Sequence, residues 1–216
     1  MNLQKASSTL ALAMLAVLFG PQARAQQPGF YAGGSVGKTY ATIDDARITG
    51  GLAAAGFATT SVSDRDRDTG YKLFAGYQFH PNFAIEGGYF DLGKFGYTAT
   101  TVPAGTLRGD IRLNGVHLDL LGILPVTEQF SVFGRVGANY ARARDTFAGT
   151  GAVAVVNPNP SKRDTNYKIG AGVLYNFSPV LAVRAEVERY RINDAVGNKG
   201  HVDMFSLGLL YRFSGI

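Results

Sequence analysis

The sequence predicts an all-β chain, an eight-stranded antiparallel up-and-down transmembrane β-barrel. Three observations carry this. Eight segments alternate apolar and polar residues with period two. The connections between them are alternately long and short. Aromatics on the apolar parity gather at the two ends of the segments, and charges on that parity avoid the middle. A wall with hydrocarbon outside and side chains packed inside demands such alternation, because successive strand residues point to opposite faces.

The chain opens on a leader. Lys5 gives a positive start, Leu10 to Phe19 is an unbroken apolar run, and Ala23-Arg24-Ala25 places small residues where a signal peptidase reads. Ten apolar residues fall short of the about 20 that a membrane-spanning helix needs, so residues 1–25 are expected to be a cleaved Sec-type secretory signal peptide. Residues 26–216 are then the barrel domain. Removing Lys5 and Arg24 lowers the formal charge from +5 to +3. Neither that balance nor an exported location calls for a nucleic-acid partner. Cysteine is absent, which excludes disulfides and thiolate metal sites. Mean hydropathy is +0.02, compatible with strands in which only alternate residues are apolar.

The eight segments lie near Gly29–Tyr40, Thr69–Phe79, Phe83–Leu92, Leu107–Leu124, Phe130–Ala143, Asn166–Phe177, Val180–Tyr190 and His201–Phe213. His80-Pro81-Asn82, Pro125 to Gln129 and Ser178-Pro179 are tight turns. Ala41–Asp68, Gly93–Thr106, Arg144–Thr165 and Arg191–Gly200 are expected to be long loops rich in Gly, Asp, Asn and Pro. Short turns at one end and long loops at the other are the topology of an outer-membrane barrel.

The faces agree. Tyr71, Leu73, Ala75, Tyr77 and Phe79 oppose Lys72, Phe74, Gly76 and Gln78. Phe130, Val132, Gly134, Val136, Ala138 and Tyr140 oppose Ser131, Phe133, Arg135, Gly137 and Asn139. On the apolar parity, Phe30, Phe79, Phe83, Phe130, Phe177 and Phe213 fall beside the short turns or termini. Tyr40, Tyr71, Tyr89, Tyr140 and Tyr167 fall beside the long loops. These form two girdles, as amphipathic rings do at lipid–water boundaries. Lys38, Asp91, Arg112, Arg142, Arg189 and Asp203 share the outward parity, yet all sit toward the long-loop end. At mid-strand an outward Arg or Lys costs about 2–4 kcal/mol.

The inward parity carries Lys72, Glu86, His117, Asp119, Arg135, Lys168, Arg184, Glu186, Glu188 and Arg212. Eight strands leave a bore just wide enough for side chains to fill, and buried charges persist when paired. A crosslinked polar plug is therefore expected. No catalytic pair is evident: His201 lies on the outward parity, Ser206 faces inward, His80 sits by a turn, and His117 faces the bore beside Asp119. Asp44, Asp45, Asp64, Asp66 and Asp68 are interleaved with Arg65 and Arg67, the pattern of a solvated loop rather than a metal site. No cofactor is expected. The glycines of Gly33-Gly34, Gly87-Gly88 and Gly170–Gly172 lie inside strands, where they permit close packing.

Tyr71 to Gly93 (YKLFAGYQFHPNFAIEGGYFDLG) resembles the second hairpin of the OmpA-type transmembrane barrel and the related opacity-family porin-like proteins. Gly115–Thr127, Phe130–Gly137, Leu181–Glu186 and Phe205–Gly215 extend the resemblance, in order, through most of the chain. It implies that Glu86 and Arg184 match an interior carboxylate and guanidinium that pair and block the bore. The other two members of that switching quartet fall on Leu121 and Leu174, which are apolar here. The expectation is thus a static lumen network of Glu86, Arg184, Arg135, Glu186, Lys72 and Asp119. The resemblance stops short of the periplasmic peptidoglycan-binding domain of OmpA, so no cell-wall anchoring is expected. The chain also ends on Ile216, with Phe213 three residues earlier, where such barrels often end on an aromatic.

The expected function is a non-enzymatic outer-membrane barrel that supports envelope integrity and presents surface loops to host or phage ligands. Its other partners would be outer-membrane lipid and the barrel-assembly machinery. Lys38, Arg112, Arg142 and Arg189 form a rim suited to lipopolysaccharide phosphates. A small-solute channel of low conductance is the alternative, and a lipid A-modifying enzyme is a third reading.

Overall fold

The computed structural model describes residues 28–193 and 199–213. The leader expected at residues 1–25 and the C-terminal Ile216 lie outside them, as does part of the fourth long loop. Nine strands and one helix follow in order: β1 (Gly29–Ala41), α1 (Asp45–Ala54), β2 (Ala58–Arg65), β3 (Arg67–His80), β4 (Phe83–Val102), β5 (Gly105–Pro125), β6 (Phe130–Gly151), β7 (Ser161–Asn176), β8 (Leu181–Asn193) and β9 (Lys199–Arg212). β1 and β3 to β9 form a closed antiparallel ring: β4 pairs with β5, and β9 returns to β1. Closure leaves no unpaired backbone edge within the hydrocarbon, where an orphaned N–H or C=O would cost several kcal/mol.

The parity read from the sequence is the parity of the wall. Tyr71, Leu73, Tyr77 and Phe79 are exposed, while Lys72, Phe74 and Gln78 between them are buried. Val136 is 56% exposed and its neighbour Arg135 only 4%. Both girdles face outward, with Phe130 alone half-buried. The short-turn end carries ring pairs such as Phe30–Tyr77 and Tyr211–Phe213, at 4.7 and 5.3 Å between centroids.

The long-loop end departs from expectation in three places. Gly93–Thr106 is not a loop: β4 and β5 continue outward as a ladder from Lys94↔Arg112 to Thr101↔Gly105. Of Arg144–Thr165, the first part extends β6 as far as Gly151 and the last part begins β7 at Ser161. Ala41–Asp68 folds into α1, capped by the Asp44 carboxylate accepting from Arg47 N–H at 3.0 Å, and into β2, which adds to the outer half of β4. At about 3.3 Å per residue, Gly105 to Asn114 adds about 30 Å of strand on the outer side of the tyrosine girdle.

The wing is launched by a bulge. The register of β4 shifts between Asp91 and Gly93, and Gly93 takes φ +88°, a left-handed conformation that glycine adopts without a Cβ penalty. Asp68 fixes it from the side, accepting from Lys94 N–H at 2.6 Å.

Candidate functional site

The barrel interior is layered, with the crosslinked inward charges at mid-bore between two apolar layers. Toward the short turns lies an apolar layer of Tyr31, Phe74, Ala84, Leu121, Phe133, Leu174, Ala182 and Leu210. Toward the loops lies a second, built on Phe90, Leu92, Phe95, Leu113, Tyr190, Ile192, Val202 and Met204. Leu121 and Leu174, where the resemblance anticipates charges, belong to the first layer.

The charged layer sits between them. Arg135 is its hub, within 3.0–3.1 Å of Glu86, Asp119, Glu186 and Glu188. Arg184 donates to Glu86 at 2.7 Å, and Lys168 reaches Asp119 at 2.9 Å and Glu188 at 2.6 Å. Lys72 bonds both Glu186 and Glu188. Four cations thus face four carboxylates, all fully shielded from solvent or nearly so. Formal neutrality lets the cluster exist there, since an unpaired charge in a low-dielectric interior is prohibitively costly. The Arg184 guanidinium stacks 3.8 Å over the Phe74 ring, and the Lys168 ammonium lies 4.8 Å over Tyr190. The charged layer is therefore bound by cation–π contacts to both apolar layers.

The structure brings all six residues expected in the lumen network into one cluster. Lys168 and Glu188, inward by parity but outside that expected network, join it. Arg212 stands apart near the short-turn end, donating to the Asn176 side chain at 2.9 Å. Gly137 makes room for the cluster, because a Cβ there would meet an Asp119 carboxylate oxygen at 2.2 Å. Ligand atoms of Glu86, His117 and Asp119 lie within 4.8 Å of one another. Those carboxylates already serve Arg184, Arg135 and Lys168, so a divalent cation would have to displace bonded cations from a neutral cluster.

The histidines and serine weighed for catalysis are scattered. Ser206 lies in the bore, 3.5 Å from Glu186. His201 pairs with Arg191 across the β8–β9 ladder at 3.1 Å. His80 accepts from Asn82 N–H in its turn.

The rim cations differ from one another. Arg189 grips Asp203 with two bonds of 2.6 and 2.7 Å, Arg112 donates to Asp91 at 2.8 Å, and Lys38 donates to the Thr69 hydroxyl at 3.0 Å. Arg142 instead feels the like charges of Arg144 and Arg163. Asp91 lies on the outward parity as expected, yet it is 2% exposed. Farther out on the wing, Asp110 is shared by Arg65, Lys94 and Arg108 at 2.5, 3.4 and 3.1 Å. Desolvation pushes its carboxyl up, but Lys94, Arg108 and Arg65 together outweigh that and hold it below the ordinary carboxylate range. A depressed folded-state value means that the contribution is present at neutral pH and is lost as the pH falls through and below the usual carboxylate range, about 4. Limited proteolysis of the β2–β4 junction should accelerate there and be unaffected between pH 6 and 8; an unchanged rate in acid would contradict this linkage.

Comparison with known proteins agrees with this architecture. The chain is 29% identical over 191 residues to outer membrane protein A of Klebsiella pneumoniae, covering 85% of this chain and 51% of that protein. It is 28% identical over 232 aligned positions to outer membrane protein P5 of Haemophilus influenzae, covering 98% and 61%. The chain thus spans about half to three-fifths of the length of these relatives. Among solved structures, Neisserial surface protein A superposes with a TM-score of 0.58 at 11% identity, over 87% of this chain and 99% of that one. OprG of Pseudomonas aeruginosa gives 0.51 at 16%, over 90% and 100%. These two share the fold. The family model for the OmpA-like transmembrane domain matches residues 25–215, and the chain accordingly belongs to that family of outer-membrane β-barrels.

Proposed function

We propose that this outer-membrane barrel is a closed, non-enzymatic wall element, exported behind residues 1–25 and inserted by the barrel-assembly machinery. Its role is to strengthen the envelope and to carry the outer wing of β2, β4, β5 and β6, with α1 beside it, as a display surface for host or phage ligands. One observation carries the reading: a charge-balanced layer, ion-paired through Arg135, is held between two apolar layers. Ions would have to cross two hydrophobic constrictions, which resist wetting, and also break Arg135 out of its four carboxylates.

Planar-bilayer recording of the purified full chain tests this. The baseline should stay flat, without ohmic steps, over a range of voltages. Removing a single charge, as in Arg184→Gln, should lower stability without opening a conducting path, because both apolar layers remain. Regular steps in the unaltered protein, changed in size by substitutions at Phe74 or Phe90, would favour the low-conductance channel instead.

A further inference from the structure

The outer rim is asymmetric in how its cations are satisfied. On the wall of β1, β8 and β9, Lys38 and Arg189 have protein partners. On the wall of β5, β6 and β7, the register places like charges directly opposite one another: Arg142↔Arg163 and Arg112↔Arg144. Arg142 and Arg144 are two residues apart on one strand, so the two pairs lie on the same outward face. Directly opposed side chains stand about 4.5–5.5 Å apart, where equal charges repel. Asp91 neutralises Arg112. Among the described residues no carboxylate lies within ion-pair distance of Arg142, Arg144 or Arg163, and Arg142 Nε is shielded from solvent without a hydrogen-bond partner. Farther out on the wing, Arg65, Lys94 and Arg108 outnumber Asp110. A β-wall that concentrates guanidiniums in this way is complete only when an anion lies among them.

The level of the cluster indicates which anion. Arg142 is two residues beyond Tyr140, and Arg163 lies opposite it, four residues beyond Tyr167; both tyrosines belong to the outward girdle. A ligand held there stands at the outer boundary of the hydrocarbon, at the depth of lipid headgroups. Guanidinium forks match phosphate oxygens in bidentate geometry. We propose that the outward face of β5–β7 binds the phosphate groups of outer-leaflet lipopolysaccharide, with Arg142, Arg144 and Arg163 at its centre and Arg112 at its edge. This deepens the envelope role above, on which it rests: it confines the contact to one wall, where the sequence suggested a rim spread over Lys38, Arg112, Arg142 and Arg189.

The full chain, refolded in phosphatidylcholine vesicles, is titrated with lipopolysaccharide, the same glycolipid after enzymatic dephosphorylation, and phosphatidylglycerol. The triple variant R142Q/R144Q/R163Q should lose at least tenfold in lipopolysaccharide affinity, and the corresponding triple lysine variant should recover part of it. The control K38Q/R189Q should stay within twofold of the parent. Dephosphorylated glycolipid should bind the parent as weakly as intact glycolipid binds the triple glutamine variant. Equal binding of the dephosphorylated form would overturn the inference. So would full competition by phosphatidylglycerol, which would make the face a general anionic-lipid contact, or loss of affinity in the control rather than the triple variant. All variants should keep a β-type circular dichroism spectrum in the vesicles; if the parent itself lacked one, the barrel reading would fall, whereas a folded parent indifferent to phosphate would remove only this site.

Discussion

Replacing Arg135 with methionine is expected to destabilise the barrel by about 3–5 kcal/mol, the cost of breaking a buried ion pair by removing one partner. The effect should lie at or above the top of that range, because Arg135 serves four carboxylates at once. Without it, Lys72, Lys168 and Arg184 face four acids in a space closed by apolar layers above and below. The loss is one of neutrality more than of volume, since methionine fills much of the same room. A compensating Glu188→Gln in the same chain should therefore recover part of the stability, as Glu188 otherwise keeps its bonds to Lys72 and Lys168. Urea-induced unfolding in vesicles measures both effects. A single variant less than about 1 kcal/mol below the parent, or a double variant no better than the single, would show that the charged layer is not what holds the interior together.

The adjacent residue gives the opposite test. Val136 is outward and 56% exposed, cross-strand from Leu120 and Ile169 in a continuous apolar row. Val136→Arg should cost about 2–4 kcal/mol, the penalty for a cation on the lipid face near the bilayer midplane. The same substitution near the rim, at Ala138 or farther out, should cost progressively less as the side chain reaches water. An arginine is thus required at one position of β6 and forbidden at the next. Exchanging the two residues should be worse than either change alone. Equal tolerance of arginine at Val136 and at the rim would mean that this face does not meet hydrocarbon.

Where the chain crosses the membrane, its structure was legible because the environment differs on the two sides of each strand. Leu73 beside Lys72 and Val136 beside Arg135 record lipid and bore directly. Beyond the girdle that contrast weakens, since the outward face meets water instead of lipid and the opposite face buries small or polar residues such as Ala99 and Thr101. Thr98, Thr100, Thr106 and Arg108 therefore read as loop, although they form a regular ladder. Helix α1 has only Leu52 buried among its residues and shows little amphipathic pattern. The capping Asp44, followed by Asp45 in the first turn, was its available signal. The inner apolar layers were half visible: Phe74, Phe90, Phe133 and Leu210 sit on the inward parity, but only the stagger between strands decides which of them share a level. The same holds for the arginine face. Arg142 is outward by alternation, whereas its opposition to Arg163 depends on the β6–β7 register.

The central claim is that successive residues of each strand meet hydrocarbon and bore in turn. The chain lacks cysteine, so single cysteines can be placed one at a time from Ser131 to Tyr140 and labelled with a spin probe in vesicles. A lipid-soluble relaxation agent should reach positions 132, 134, 136, 138 and 140, and leave 131, 133, 135, 137 and 139 untouched. A profile without that two-residue period, or strong access of a water-soluble agent to the even positions, would contradict the account.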